Sequence, residues 1–169
     1  MPGNRLIITF VLMSLCGLML TGCTVAPPKN PDNICSIFKE KPAWYKAAKK
    51  AHKRWGTPIQ VMMAIMKHES SYREHVRPPR RKLLGFIPWT RGSSAYGYAQ
   101  AQDSTWDWYR RDSGNGIADR DDFDDAIDFI GWYTHKSQQC CGISKWNTRQ
   151  QYFAYHDGHG GYKRGTYKK

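Results

Sequence analysis

The segment IQVMMAIMKHES, residues 59–70, most constrains how this chain folds, because its apolar residues recur with helical spacing. The residues around its start form a helix signal: Thr57 can cap, Pro58 suits the first helical position, and Gln60 completes a capping box. Four side chains on steps of three and four share one face of the predicted helix: Met62, Ile65, Met66 and Glu69. That face is mostly apolar, so the chain has to fold around it and bury it.

Glu69 ends this apolar face, at the edge of the predicted core. Partial burial disfavours the carboxylate anion, and so does the negative end of the helix dipole. Both effects raise the pKa of the carboxyl group, as a general acid near neutral pH requires. A glutamate that marks where the helix reaches solvent, or that pairs with a lysine or arginine, fits the same spacing. The pattern alone does not decide between these interpretations.

The rest of the chain from residue 43 also has a helical pattern. Four further segments combine helix-forming residues with apolar spacing or a polar start: 43–55, 105–111, 123–137 and 148–156. No run of alternating β-branched residues predicts a strand. A content of 40% hydrophobic and 14% aromatic residues is too high for a disordered chain. We therefore expect one mainly α domain with little or no β-structure.

The N-terminus predicts export. A basic start precedes an apolar run at residues 6–20, which is shorter than the roughly 20 residues of a membrane-spanning helix and fits a secretory signal. Leu20-Thr21-Gly22-Cys23 then resembles a bacterial lipobox. This resemblance implies that residues 1–22 are a signal peptide and that Cys23 is lipidated. An ordinary signal, or an anchor helix with an incidental cysteine, also fits.

Residues 23–42 are predicted to be a tether, because TVAPPKNPDN is rich in proline and asparagine and lacks periodicity. The folded domain is then expected at residues 43–169. Thr24, rather than Asp, follows the cysteine, which resembles the pattern for transfer to the outer membrane. We therefore expect a lipoprotein on the periplasmic face of the outer membrane, held there by its N-terminal lipid.

Cysteine usage agrees with an exported protein. Of five cysteines, Cys16 lies in the predicted signal and Cys23 is the predicted lipid site. Three remain for an oxidising compartment, so we expect a disulfide that joins Cys35 to Cys140 or Cys141. The sequence leaves open which of the two pairs. The adjacent cysteines lack the spacing of zinc ligands.

The formal net charge of +12 favours an anionic partner. Nucleic acid, anionic lipid and an acidic polymer such as peptidoglycan all have the required charge. The export signal and the lack of a helix-turn-helix or zinc-finger pattern argue against nucleic acid. The acidic run at 119–125 lacks the glycine of a calcium loop, and His156 and His159 are too few for a metal site. We expect neither a metal nor a cofactor.

Two other segments offer polar groups for a ligand. In SSAYGYAQAQDSTW, Gly97 permits a tight turn or a close approach to a ligand, and the Gln100 amide suits an N-acetyl group or a sugar hydroxyl. A polar turn that Asp103 or Ser104 caps is the alternative. In FAYHDGHGGYKRGTY, Tyr155 precedes a glycine-rich stretch that we expect to form an adaptable loop or a flexible basic tail.

Taken in order, three motifs resemble the lysozyme-like lytic transglycosylases of the soluble-transglycosylase family. They are Glu69-Ser70, then Gly97-Tyr98-Ala99-Gln100 with Thr105-Trp106, then Ala154-Tyr155-His156-Asp157-Gly158. The resemblance runs from about residue 43 to the end and implies a compact, goose-type lysozyme-like helical domain. Ala99 stands where the family usually has Met, and His156 where it usually has Asn. These two departures bear on the sugar-binding sites.

The resemblance implies cleavage of the β-1,4 bond between N-acetylmuramic acid and N-acetylglucosamine in peptidoglycan strands, with a 1,6-anhydro product. Glu69 is then the catalytic acid and, later, base. Six residues are the implied substrate contacts: Ser70, Gly97, Tyr98, Gln100, Tyr155 and His156. We expect a monomer whose partners are glycan strands and, through the lipid, a membrane.

Two other activities fit the same sequence. A lysozyme-type hydrolase would use a second carboxylate, for which Asp103 and Asp157 are candidates. A peptidoglycan-binding lipoprotein would need no catalysis at all. The sequence also carries a basic and apolar insertion, Arg77–Gly92, between the first two motifs. It fits a flap over the glycan cleft, a site that docks on lipid or on a partner protein, or a plain surface insertion.

The lipobox generates the first testable prediction. In Cys23→Ala the acceptor of the lipid is missing, so the variant is expected to leave the outer-membrane fraction. Cell fractionation and immunoblotting measure this. A Cys23→Ala protein that still fractionates entirely with the outer membrane contradicts the prediction.

Overall fold

A computed structural model describes residues 24–84 and 86–168, so the predicted signal peptide and the lipidation site at Cys23 lie outside it. Six helices carry the fold: α1 Ile34–Glu40, α2 Pro42–Trp55, α3 Ile59–Ser70, α4 Asp103–Ser113, α5 Phe123–Cys141 and α6 Thr148–Arg164. A hairpin of β1 Arg80–Leu83 and β2 Ile87–Arg91 precedes α4, and a 3-10 turn Thr166–Lys168 follows α6. The mainly α fold class is confirmed. Within the described ranges no helix has the length and apolarity to cross a membrane.

The central element is α5, which contacts α2, α3, α4 and α6. Its side chains are buried on nearly every side along most of its length, as expected of a helix in the middle of a core. The Asp122 side chain caps its start by accepting from the Asp125 backbone N–H at 3.0 Å, and Gly142 ends it in the left-handed conformation. At the first residue, the Phe123 ring stacks on Trp44 of α2 with centroids 4.0 Å apart. This pair fixes how α2 lies along α5.

The predicted inner face of α3 is confirmed, because Met62, Ile65 and Met66 are fully buried. The predicted capping box is wrong. Pro58 is the N-cap and no side chain caps the helix. The Thr57 hydroxyl lies 2.7 Å from the hydroxyl of Thr134 on α5 instead, because Thr57 is buried beneath that helix. A tertiary partner has replaced the local one.

The predicted tether contains a helix, α1, that the sequence did not signal. Asn33 caps it by accepting from the Ser36 backbone N–H at 3.0 Å, and Ile37 is buried in the core. The packed domain therefore begins before residue 43. A single buried apolar residue in a seven-residue helix gives no periodicity, which is why the pattern was missed.

The glycine-rich C-terminus was predicted to be an adaptable loop, and the structure corrects this. The last helix, α6, runs on to Arg164 and bends at Gly158, whose φ of 71° and ψ of 160° are not helical. Asp157 accepts a hydrogen bond from Thr166 at 2.5 Å, which holds the 3-10 turn against the helix. At Gly161 a Cβ would lie only 3.0 Å from the Thr166 hydroxyl, so the missing side chain permits this contact.

The insertion Arg77–Gly92 is a β-hairpin, whereas the sequence predicted no strand. Its strands pair antiparallel, with Arg80 opposite Arg91 and Leu83 opposite Ile87. The strands are only four and five residues long, and Pro88 interrupts the second one. Short strands that contain proline and consecutive basic residues lack the alternation by which a strand is recognised.

The predicted disulfide is not formed: Cys35, Cys140 and Cys141 are free thiols in the structure. Cys35 lies in α1, close in sequence to the part of α2 that stacks on the start of α5. Cys140 and Cys141 lie at the other end of α5, about 25 Å further along the helix at 1.5 Å per residue. A bridge requires Cα atoms about 4.4–6.8 Å apart, and the free thiols are consistent with positions on different helices that do not meet this requirement.

The buried carboxylate of Asp128 generates the second prediction. It accepts hydrogen bonds from the Arg54 guanidinium at 3.0 Å, the Trp55 indole at 2.9 Å and the Tyr109 hydroxyl at 2.9 Å. Asp128→Ala leaves all three donors without this acceptor, so the free energy of unfolding should fall by about 3–5 kcal/mol. Urea denaturation measures the change.

The matched control is Asp124→Ala, which removes the same charge from an exposed position on the same helix. Its effect should stay within about 1 kcal/mol, the range of a helix-dipole contact. Equal losses in the two variants would mean that charge, rather than the hydrogen-bond network, accounts for the effect.

Candidate active site

A cleft of about 460 Å³ opens where the end of α3 meets α5, α6 and the loop before α4. Six of the side chains that line it matter for its chemistry: Glu69, Gln100, Thr105, Tyr133, Tyr155 and His156. Five of these six, all except Tyr133, belong to the motifs that the sequence singled out, and four of them were predicted as site residues. The fold thus brings Glu69, Gln100, Tyr155 and His156 to one surface from three separate parts of the chain.

Glu69 lies at the inner wall of this cleft. Its Oε1 atom is buried and has no hydrogen-bond partner among the described residues. Burial raises the pKa of the carboxyl group to about 7, and the nearby His156 opposes this shift in part. A carboxyl group with a pKa near 7 is protonated in a large fraction of molecules at neutral pH. It is therefore able both to give a proton and to take one back.

Ser70, the second residue of this motif, faces away from the cleft. Its side chain is buried, and its hydroxyl donates to the Met66 carbonyl at 3.2 Å. The Ser70 carbonyl accepts from the Arg73 side chain at 3.0 Å, while Ser71 ends the helix in the left-handed conformation. The predicted substrate contact at Ser70 is thus not supported by its position. Ser70 holds the end of α3, and so the backbone that carries Glu69.

In the loop before α4, hydrogen bonds fix the orientation of the Gln100 side-chain amide. The amide nitrogen of its side chain donates to the Val76 carbonyl at 2.9 Å and to the Gly97 carbonyl at 2.8 Å. Both amide hydrogens are therefore committed, and only the oxygen is left for a ligand. Gln100 also has a φ of 48°, a left-handed conformation that is unfavourable for this residue. The two bonds hold it there.

Gly97 and Tyr98 shape this loop rather than contact the cleft. Gly97 has a φ of 77°, and a Cβ there would lie 2.0 Å from the Arg120 carbonyl oxygen. The close approach lets the Tyr98 backbone N–H donate to that carbonyl at 3.1 Å. Tyr98 itself is buried edge-on against Trp44, with ring centroids 5.8 Å apart. Neither residue lines the cleft, so the geometry gives no support to the substrate contacts predicted from the motif.

Tyr155 forms the wall that faces the Gln100 loop. Its hydroxyl donates to the Ala99 carbonyl at 2.5 Å, which ties α6 to that loop. Its ring packs edge-on against Tyr133 of α5 at 5.1 Å. Burial, and then the neighbouring Glu69, raise the pKa of Tyr155 well above its usual value. The phenol therefore stays protonated, and its hydroxyl hydrogen remains in the hydrogen bond to the Ala99 carbonyl.

His156 and Asp157 form a pair at the mouth of the cleft. The His156 Nδ1 atom lies 2.8 Å from Asp157 Oδ1, so the ring donates to the carboxylate from Nδ1 and leaves Nε2 free. The second Asp157 oxygen accepts from Thr166. These two hydrogen bonds lower the pKa of Asp157. The His156 side chain is 66% exposed, which leaves it open to a bound ligand.

Of the two candidate second carboxylates, only Asp157 lines the cleft. Asp103 pairs with Arg120 at 2.7 Å and lies at the start of α4. Two cleft residues, Thr105 and Tyr133, were missed as site residues. The sequence named the Thr105-Trp106 helix start and predicted a helix over residues 123–137, which includes Tyr133. It gave no signal that either residue lines an open cleft, since that depends on how the helices cross.

A compact helical domain with a half-buried carboxyl group in a polar cleft is consistent with the lysozyme-like class of proteins. The sequence model of the transglycosylase SLT domain matches residues 10–169, and the chain belongs to this family. Neither a curated protein nor a solved structure matches it. Membership in the family gives the chain a peptidoglycan-degrading function of the lytic transglycosylase type, and it implies that the domain binds peptidoglycan.

The raised pKa of Glu69 generates the third prediction. Glutamate ordinarily ionises near 4.5, whereas Glu69 in the folded protein ionises near 7. Between these values the folded state holds an extra proton, so its stability falls as the pH rises and then levels off above 7. Glu69→Gln removes this dependence. The variant should exceed the wild type by about 1–3 kcal/mol at pH 8 and lose this advantage at pH 4.

Urea denaturation at the two pH values measures the difference. Glu40→Gln is the matched control, because Glu40 is exposed on α1. Its difference from the wild type should be small at both pH values. An advantage of Glu69→Gln that is the same at pH 4 and pH 8 contradicts the buried-carboxyl interpretation.

Proposed function

We propose that this protein is a lytic transglycosylase that cleaves the β-1,4 bond between N-acetylmuramic acid and N-acetylglucosamine and forms a 1,6-anhydro end. One observation carries the proposal: the unpartnered, buried Oε1 of Glu69, with a pKa near 7, faces a cleft of the size of a ligand site. Such a group is suited to proton transfer in both directions at neutral pH.

In the first step Glu69 donates its proton to the glycosidic oxygen while the bond from C1 to that oxygen breaks. Positive charge develops at C1, and the substrate's own N-acetyl group stabilises it. No second protein carboxylate is needed for this step. The missing hydrogen-bond partner of Oε1 supports the role, because a proton on that oxygen has no competing acceptor among the residues that the structure describes.

In the second step the ionised Glu69 takes the proton of the 6-hydroxyl group, and the 6-oxygen forms a bond to C1. The carboxyl group thereby regains its starting proton, and the 1,6-anhydro ring closes without water. Gln100 has only its amide oxygen left, so it accepts from a donor on the glycan, such as a sugar hydroxyl or the N–H of an N-acetyl substituent. His156 Nε2 is a further polar contact for the glycan, in place of the family's usual amide.

Hydrolysis is the second candidate, and Asp157 is the observation in its favour. Its carboxylate lines the same cleft as Glu69 and would serve to activate a water molecule. Both of its oxygens are occupied, however, one by His156 and the other by Thr166. This commitment favours the transglycosylase. The two reactions differ in their products, because hydrolysis leaves a reducing end.

The proposed cellular setting is the periplasmic face of the outer membrane, with the domain anchored through lipidated Cys23. The lipobox and the basic charge of the chain support it. Peptidoglycan lies within reach of a domain that is anchored there. The stem peptides of peptidoglycan are anionic, which suits the positive charge of the domain.

The fourth prediction concerns catalysis. Glu69→Gln keeps the shape of the side chain and cannot transfer a proton, so the rate of glycan cleavage should fall by about 10²- to 10⁴-fold or more. Glycan binding should persist. Mass spectrometry of digested peptidoglycan strands measures the products, and the wild type should yield 1,6-anhydro-muramic ends, lighter by one water than hydrolytic ends.

Glu40→Gln again serves as the matched control and should cleave at the wild-type rate. Reducing ends from the wild type would replace the transglycosylase with the hydrolase. Full activity in Glu69→Gln would remove Glu69 from both mechanisms and make its buried carboxyl group structural. A wild-type protein that binds strands and releases nothing would be a binding lipoprotein.

A further inference from the structure

The hairpin β1–β2 starts beside the N-terminal end of the described chain. Residues 24–27 and 73–77 together line a shallow depression of about 500 Å³. The hairpin begins three residues after Arg77. Arg91, the last residue of β2, donates a hydrogen bond to the Pro78 carbonyl at 2.5 Å. The base of the hairpin is therefore closed next to Thr24, the residue that follows Cys23.

The tip of this hairpin is apolar and exposed. Leu84 and Phe86 lie in the turn between the strands and are 77% and 72% exposed. Leu84 has a φ of 53°, a left-handed position that glycine or asparagine fills at lower cost. The conformation of the turn therefore does not require a leucine at this position. Two large apolar side chains at an exposed tip indicate a contact outside the domain.

The same segment is strongly basic. Between Glu74 and Asp103 the sequence contains no acidic residue. Five basic residues lie in that interval: Arg77, Arg80, Arg81, Lys82 and Arg91. An apolar tip on a basic stem is complementary to the interface of an anionic bilayer, where apolar groups enter the acyl boundary and cations pair with headgroups.

We propose that the β1–β2 hairpin is a membrane-contact element that dips Leu84 and Phe86 into an anionic phospholipid surface. A protein partner fits less well, because the described residues of the turn offer two exposed apolar side chains, whereas a stable protein interface takes about 800 Å² from each partner. A glycan strand as the partner would pair with the basic residues of the hairpin, but it would leave the apolar tip exposed to water.

The position of the hairpin base supports the same partner. Thr24 lies at that base, so a lipid on the preceding cysteine and the hairpin approach the bilayer from one part of the domain. A basic patch next to an acyl anchor is a known way to strengthen weak membrane attachment. The hairpin adds such a patch and restricts how the domain lies on the membrane. Neither this contact nor its test depends on the catalytic role of Glu69.

The fifth prediction tests this contact with residues 24–169, which lack the N-terminal apolar run. These residues keep the whole described core, since its buried apolar side chains lie between Ile37 and Ala154. The domain should sediment with vesicles of phosphatidylethanolamine and phosphatidylglycerol, and much less with phosphatidylcholine alone. The double variant Leu84→Ser/Phe86→Ser should bind the anionic vesicles at least about tenfold more weakly.

Ile117→Ser is the matched control, because Ile117 is 96% exposed in the loop between α4 and α5. It should bind vesicles like the wild type. Thermal melts followed by circular dichroism should be alike for all three proteins, and cleavage of soluble glycan strands should be unchanged in the tip variant.

Three results would overturn the proposal. The first is a wild-type domain that does not sediment with anionic vesicles. The second is an equal loss in Ile117→Ser, which would make the effect one of general surface apolarity. The third is a tip variant that binds vesicles normally and loses either cleavage of soluble strands or binding to isolated peptidoglycan sacculi. That result would make the hairpin a flap over the glycan cleft.

Discussion

The packing of α3 on α5 is the contact on which the rest of the structure depends. It buries the apolar face of α3, and with it the carboxyl group at the end of that face. Gly131 leaves room for both neighbours of α5, because a Cβ there would lie 2.9 Å from the Trp55 ring of α2 and 3.2 Å from the Met62 sulfur of α3. Because the helix continues into the core up to Glu69, the energy that drives burial of three apolar side chains also desolvates one acid. The raised pKa of Glu69 is thus a consequence of the core and needs no charged neighbour.

Hydrogen bonds within the protein occupy several of the donor groups around the cleft. The Gln100 amide nitrogen donates to the Val76 and Gly97 carbonyls, and the Tyr155 hydroxyl donates to the Ala99 carbonyl. These bonds connect the ends of three chain segments and hold Gln100 in a strained backbone conformation. They also decide the polarity of the site, because what remains for a ligand is mostly acceptors. A cleft that is fixed in this way needs little rearrangement to bind a glycan.

Several acidic side chains of the described domain have partners within it, and each ion pair cancels one charge of each sign. The basic character of the protein therefore comes from the excess of 26 Lys and Arg residues over 14 Asp and Glu residues. Asp128 is enclosed by Arg54, Trp55 and Tyr109, while Asp103 and Asp157 each have a basic partner. The hairpin segment has no acid of its own. The domain therefore presents excess positive charge to both of the anionic surfaces between which we propose it works, a phospholipid bilayer and the cell wall.

The sequence alone determined the helical class, the inner face of α3 and the position of Glu69, because helical spacing and the hydrophobic effect act on neighbouring residues. It also named Gln100, Tyr155 and His156. Tertiary structure decided what local patterns do not contain: Thr57 found a partner on α5, and Tyr98 turned into the core instead of the cleft. It left Cys35 apart from Cys140 and Cys141, and it paired the two short strands. The partner of Thr57, the burial of Tyr98 and the separation of the cysteines depend on residues far apart in the chain, whose distances only the crossing of the helices sets. The hairpin is local, but its short strands lack the alternation by which a strand is recognised.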